Sequence, residues 1–147
     1  MSVLIRPFAE ADIAAAITLW RATTGVGLSA ADEPAAIARY LARNPGLSWV
    51  AEAQGQLVGT LLCGHDGRRG LIHHLVAAGG HRRQRIGTRL VRAGLQGLRV
   101  QGIDKCHLMV FDTNTLAQAF WLALGAQRRG DLQLFSLNTD AGAGPAP

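Results

Sequence analysis

The sequence predicts an α+β fold: one mixed, mostly antiparallel sheet flanked by helices. Three observations carry that prediction. A meander of short apolar runs fills residues 47–77, with the turn dipeptides Gln54-Gly55 and Asp66-Gly67 between the runs. A strand–helix–strand unit follows, in which residues 70–77 and 105–111 enclose a helical stripe closed by Gly102. Ahead of the meander, apolar residues recur at helical rather than alternating spacing.

Taken in order, residues 3–6 form a short strand, which Pro7 stops because it lacks the N–H a ladder needs. Ile13, Ile17 and Trp20 then line one helical face that ends at Gly25. Residues 25–33 are a loop rich in Gly, Ser and Asp. Pro34 suits the first turn of a second helix with Ile37, Tyr40 and Leu41 inward, and Asn44-Pro45-Gly46 ends it. Three strands follow at 47–53, 56–65 and 70–77. After Gly79-Gly80, Ile86, Leu90, Ala93, Gly94, Gly97 and Leu98 make a stripe with small residues where a sheet can come close. Residues 105–111 are strand. Asn114 is a good N-cap for a helix with Leu116, Phe120 and Ala123 inward, and Gly125 fits its left-handed C′ position. Residues 132–137 complete the sheet. One domain is expected over 1–139, with a disordered tail of small residues and prolines over 140–147.

With 147 residues and 48% hydrophobic content, the chain can bury a core as one domain. The net charge of +5 raises a polyanion as partner. Six of the 15 basic residues are Arg82, Arg83, Arg85, Arg89, Arg92 and Arg99, beside a Gly-rich turn. That grouping points to a small phosphorylated ligand and away from nucleic acid, as does an aromatic content of 5%, too low for base stacking. No apolar run has bilayer length, and Arg6, Glu10 and Asp12 interrupt the segment a signal peptide would need, so a soluble cytoplasmic protein with no membrane partner is expected. Cys63 and Cys106 have neither disulfide-framework nor metal spacing and read as core residues.

The chemistry concentrates where the strand ending at Ala77 passes through a Gly-rich basic turn into a helix. Unpaired N–H groups at a helix start, a positive macrodipole and close backbone approach suit a pyrophosphate. Arg82-Arg83-Gln84-Arg85-Ile86-Gly87-Thr88 is similar to motif A of the Gcn5-related N-acetyltransferase (GNAT) superfamily, Arg/Gln-x-x-Gly-x-Gly/Ala, with Arg85 where the first glycine usually stands. Val110 to Gly125, including Asn114, Ala117, Phe120 and Trp121, resembles the family's motif B. The turn Gly64 to Gly70 is similar to that of a bacterial GNAT subgroup. The resemblance spans residues 3–137.

It implies a V-shaped cleft between the fourth and fifth strands, with acetyl-coenzyme A as cosubstrate. Leu75 and Ala77 would offer backbone groups to the pantetheine arm, and Arg82, Arg83, Gln84, Arg85, Ile86, Gly87 and Thr88 would hold the pyrophosphate. Asn114 would contact the pantetheine or its sulfur end, while its reading as an N-cap stands beside that. The family reaction is direct attack of an amine on the thioester, which needs a base because an amine near neutral pH is mostly protonated. Two departures matter. The motif B tyrosine that serves many relatives as an acid is Trp121, whose indole has no proton to give, and the positions that hold glutamate in some relatives are Leu71 and Met109.

His73 is therefore the candidate base, similar to the strand histidine of serotonin N-acetyltransferase; alternation places it and His74 on opposite faces, with His73 on the face of Leu75. Tyr40, the chain's one tyrosine, is expected to pack. His81 reads as packing or phosphate contact, and His65 and His107 as turn and strand residues. Asp32 and Glu33 either attract a cationic amine or cap the helix at Pro34. The expected function is transfer of an acetyl group to a primary amine of a small molecule or a protein N-terminus. An acyl-coenzyme A-binding domain without turnover is the alternative. No metal is expected, and a homodimer is the commonest form any oligomer would take.

Overall fold

The structure, a computed structural model, describes residues 2–79 and 84–140. The chain divides into two compact units, Met1–Asn114 and Thr115–Pro147. The first contains β1 (Leu4–Pro7), α1 (Ile13–Arg21), α2 (Pro34–Arg43), β2 (Trp49–Ala53), β3 (Gln56–His65), β4 (Gly70–Ala77), α3 (Ile86–Val100) and β5 (Cys106–Leu108). The strands form one sheet in sequence order, antiparallel from β1 to β4 and parallel between β4 and β5.

Local chemistry accounts for the junctions. Gln54 (φ 53) and Gly55 (φ 76) are both left-handed, as a two-residue hairpin of matching twist requires. At the next turn Asp66 Oδ1 accepts from the N–H groups of Arg68 and Arg69 at 2.8 and 2.9 Å, and Gly67 takes φ 92. Arg6 of β1 donates to Asp12 at 2.8 and 2.9 Å and to Glu52 of β2 at 3.1 Å, tying the approach to α1 to the sheet. Pro34 opens α2 where its missing N–H costs nothing. α3 ends in a Schellman motif: Gly102 (φ 82) donates to Arg99 and Ile103 to Leu98, both at 3.0 Å, and Ile103 and Leu98 are buried.

α1 and α2 cover one face of the sheet around Ile17, Trp20, Ile37, Val50, Leu62 and Val76. α3 covers the other. A Cβ on Gly94 would sit 2.6 Å from Leu61 Cδ2, and one on Gly70 of β4 would sit 2.7 Å from Leu98 Cδ1, so helix and sheet meet where side chains are missing. In the second unit α4 (Thr115–Ala123) also closes on a Schellman motif, with Gly125 (φ 100) donating to Leu122 and Ala126 to Trp121, both at 3.0 Å. Among the described residues no helix is long and apolar enough to cross a membrane.

Three expectations about elements are corrected. The strand expected over 105–111 is paired at three positions, Gly70↔Cys106, Leu71↔His107 and Ile72↔Leu108. The strand expected over 132–137 is absent, and Leu132, Leu134, Phe135 and Leu137 are exposed. In both places a short, largely apolar run signals a strand, but a ladder also needs a partner whose N–H and C=O groups match. Leu116, expected inward on α4, is 78% exposed. Residues 141–147 of the expected disordered tail lie outside the described residues.

Candidate functional site

A kink in the middle of β4 organises the site. Thr60↔Val76 and Leu62↔His73 are successive partners, so a step of two residues on β3 faces a step of three on β4. The extra residue makes a β-bulge at His74, whose φ of 48 lies in the left-handed region. The bulge resets alternation. The ring of His74 lies 4.7 Å from that of Trp20 on α1, and the ring of His73 lies 6.1 Å from that of Tyr40 on α2. Both histidines therefore face the α1–α2 layer, correcting the expectation of opposite faces.

Three contacts hold the kink. The Trp20 Nε1–H donates to the Thr60 hydroxyl at 2.8 Å, and that hydroxyl donates to the His74 carbonyl at 2.8 Å. Trp20 and Thr60 are fully buried. The third contact joins His74 Nε2 to Asp32 Oδ1 at 2.7 Å, with both side chains largely buried. An ionised carboxylate can only accept, so in this contact Nε2 of His74 is the donor.

Asp32 does two things, because its Oδ2 also accepts from the Ser29 N–H at 2.9 Å in a short 3-10 turn. Glu33 opens α2 through its backbone carbonyl, with no side-chain cap. The Asp32–His74 pair left no signal in the sequence, since its members lie 42 positions apart. Half-buried His73 has its pKa lowered from the ordinary 6.5, by burial first and by neighbouring His74 second, with Asp32 opposing. It is neutral at pH 7 and able to accept a proton.

Tyr40 packs, as expected: its hydroxyl occupies the space a Gly64 side chain would fill, and burial raises its pKa. His65 accepts from the Gly67 N–H at 2.9 Å and meets Gln101 at 2.8 Å, a turn role. His107 is an exposed strand residue. A depression of about 350 Å³ between the starts of α1 and α2, lined by Glu10, Ile13, Ala14, Pro34 and Ala38, carries none of these groups.

Among the described residues β4 has no strand partner on its β5 side beyond Ile72. The Ala78 N–H donates to Val58 of β3 at 2.8 Å, so alternation turns the backbone groups of Ala77 and Leu75 the other way, where no strand pairs with them among the described residues. Arg85 precedes α3 at φ 54 and ψ 39 with no side-chain cap. It takes the left-handed conformation for which a glycine would be suited. The first-turn N–H groups of α3 have no partner within the helix. Ile86 is 1% exposed and packs in the core. Gln84, Gly87 and Thr88 are half-buried, and Arg85 is exposed. Arg89 is committed elsewhere, donating to the Val3 carbonyl at 2.8 Å. His81, Arg82 and Arg83 lie outside the described residues.

Residues 14–126 match the family model described as Acetyltransferase (GNAT) family. The chain belongs to that family. An acetyltransferase of Pectobacterium atrosepticum is 35% identical over 110 residues, covering 75% of this chain and 77% of the relative. Among solved structures, the PaiA N-acetyltransferase of Thermoplasma acidophilum in complex with coenzyme A superposes with a TM-score of 0.71 at 18% identity, covering 84% of this chain and 89% of that one. AAC(6')-Iy in complex with the bisubstrate analogue CoA-S-monomethyl-acetylneamine gives 0.74 at 15% identity, covering 94% and 99%.

As a GNAT acetyltransferase the chain is an acyltransferase that draws on acetyl-coenzyme A. Asn114 immediately precedes α4, with its side chain against Gly25 of the α1–α2 loop. Trp121 lies within α4, its ring 5.3 Å from that of Phe120. Among the described residues no cluster of His, Cys, Asp and Glu could hold a metal.

Proposed function

We propose that this acetyltransferase moves the acetyl group of acetyl-coenzyme A to a primary amine, on a small molecule or a protein N-terminus, by direct attack in a ternary complex. One observation carries the reading: among the described residues no strand pairs with the Leu75 and Ala77 side of β4, beside a kink that bears two histidines. An edge of that kind offers hydrogen bonds to an extended, amide-containing arm. The wedge beyond Ile72↔Leu108 is the proposed cleft. The backbone N–H groups of Ile86, Gly87 and Thr88, with Arg82, Arg83, Gln84 and Arg85, are the proposed pyrophosphate site, on the charge argument of an unsatisfied helix start. Asn114 is proposed to contact the pantetheine.

The thioester supplies an activated acetyl carbonyl. His73, neutral and half-buried, takes the proton of the attacking amine directly or through a water. The amine nitrogen bonds the carbonyl carbon, the carbon–sulfur bond breaks, and the thiolate departs to be protonated by solvent, because Trp121 provides no acid. The Leu75 N–H, turned toward the open edge, is placed to polarise the carbonyl.

His73→Ala tests this. General-base catalysis contributes about a hundredfold to ten-thousandfold, so the variant loses at least roughly two orders of magnitude in turnover on the best amine of a panel while keeping its coenzyme A affinity. Parent-like turnover across pH would make His73 a structural residue.

Trp121 specifically favours a second reading, in which the domain holds acyl-coenzyme A without turnover. Mass analysis for retained coenzyme A, followed by thiol release with the amine panel, separates the two. Retention without release selects the second.

A further inference from the structure

We propose that Asp32 and His74 form a positioning pair for the transfer centre: the carboxylate from the α1–α2 loop clamps the kinked residue of β4 and so fixes the adjacent His73 ring and the Leu75 N–H. The proposal rests on the reading that β4 carries the reaction. A left-handed conformation is strained for a residue with a side chain, and it persists where the surroundings over-determine it, most often at functional sites. His74 is held three times over. Its carbonyl accepts from Thr60, its ring packs on Trp20, and its ring edge meets Asp32 at 2.7 Å.

The loop that carries Asp32 is seated at its other end too. A Cβ on Gly25 would lie 2.7 Å from Asn114 Nδ2, and one on Gly27 would lie 2.7 Å from the Phe111 ring. The loop therefore reaches from the kink of β4 to the segment that follows β5, across the open edge. The hydrogen bond that His74 Nε2–H donates to Asp32 Oδ1 joins it to β4.

The pair also sets the field at His73. Facing that ring are His74 on its own strand, Asp32 from the loop and Tyr40 from α2; its β3 partner is the apolar Leu62, and β5 offers His107 opposite Leu71. A purely structural pair would support the fold without a directed effect on this imidazole. Asp32 favours protonated His73 and His74 opposes it, so removing them one at a time has opposite consequences.

The test uses the full chain with Asp32→Asn, which retains an oxygen able to accept from Nε2–H, and His74→Asn, since asparagine tolerates the left-handed region. Imidazole NMR titration of His73, read without any acceptor, moves its midpoint to lower pH in Asp32→Asn and to higher pH in His74→Asn. Both variants lose roughly tenfold to a hundredfold in kcat, with the KM for acetyl-coenzyme A within about twofold of the parent. The acid limb of the rate profile follows the titration. A midpoint that stays put or moves the same way in both variants overturns the proposal, as does parent-like kcat in either. His73→Ala is read alongside. If it turns over normally, the assignment of His73 as base fails, whatever the titrations show.

Discussion

Arg85 stands where the motif prefers glycine, yet its backbone adopts glycine's conformation, φ 54 and ψ 39, as α3 begins. The fold has kept the geometry and accepted the strain. Arg85→Gly should therefore raise stability by about 1 kcal/mol, the usual cost of a left-handed residue with a Cβ less glycine's greater unfolded-state entropy. For a chain of this size that is roughly 2–4 °C in thermal midpoint. An unchanged or lower midpoint would mean that the arginine side chain contributes more than the strain removes. His73 gives a residue-scale prediction with a definite sign. Its folded pKa lies below 6.5, so in the interval between the two values the unfolded chain holds a proton that the folded chain does not. The stability tied to neutral His73 is complete above about pH 6.5 and is lost as pH falls toward the folded value. Thermal midpoints measured down from pH 7 should drop less steeply in His73→Gln than in the parent.

Among the elements, α3 depends on close approach to the sheet. A methyl group at Gly94 would gain about 1 kcal/mol of helix propensity. It would also sit 2.6 Å from Leu61 Cδ2, and overpacking a tight core costs about 1–3 kcal/mol. The packing term wins, so Gly94→Ala should be net destabilising in urea melts, and a stabilised variant would show that Leu61 has room to turn away. The ends of α3 and α4 were legible because Gly102 and Gly125 mark the left-handed C′ position, a local rule. The hairpin at Gln54-Gly55 and the bounds of β3 and β4 were legible for the same reason. β5 was not. Residues 106–111 are apolar at every position except His107, but pairing ends at Leu108, and nothing local to that segment says where β4 stops being its neighbour.

At the scale of the whole molecule, a ligand that binds the folded chain and not the unfolded one stabilises it by mass action, about 2.7 kcal/mol at a hundred times its dissociation constant. Acetyl-coenzyme A should thus raise the thermal midpoint by roughly 5–10 °C, and the rise should shrink as salt screens the arginine-rich turn. Gly87→Trp should abolish the rise in a folded protein. If that variant is stabilised as much as the parent, the pyrophosphate lies elsewhere.

The sequence by itself determined the fold class and the order of elements through β5, because periodicity, capping glycines and turn dipeptides act over a few residues and need no partner, while the family followed from the resemblance of residues 82–88 and 110–125 to its two motifs. It also offered His73 as the candidate base and residues 82–88 as the candidate pyrophosphate site. Tertiary structure decided how the histidines face. One inserted residue at His74 turns alternation over, and whether a strand bulges depends on what its neighbour and the overlying helices hold, here Thr60, Trp20 and Asp32. Those residues come from three separate elements, and only packing brings a carboxylate from position 32 to a ring at position 74.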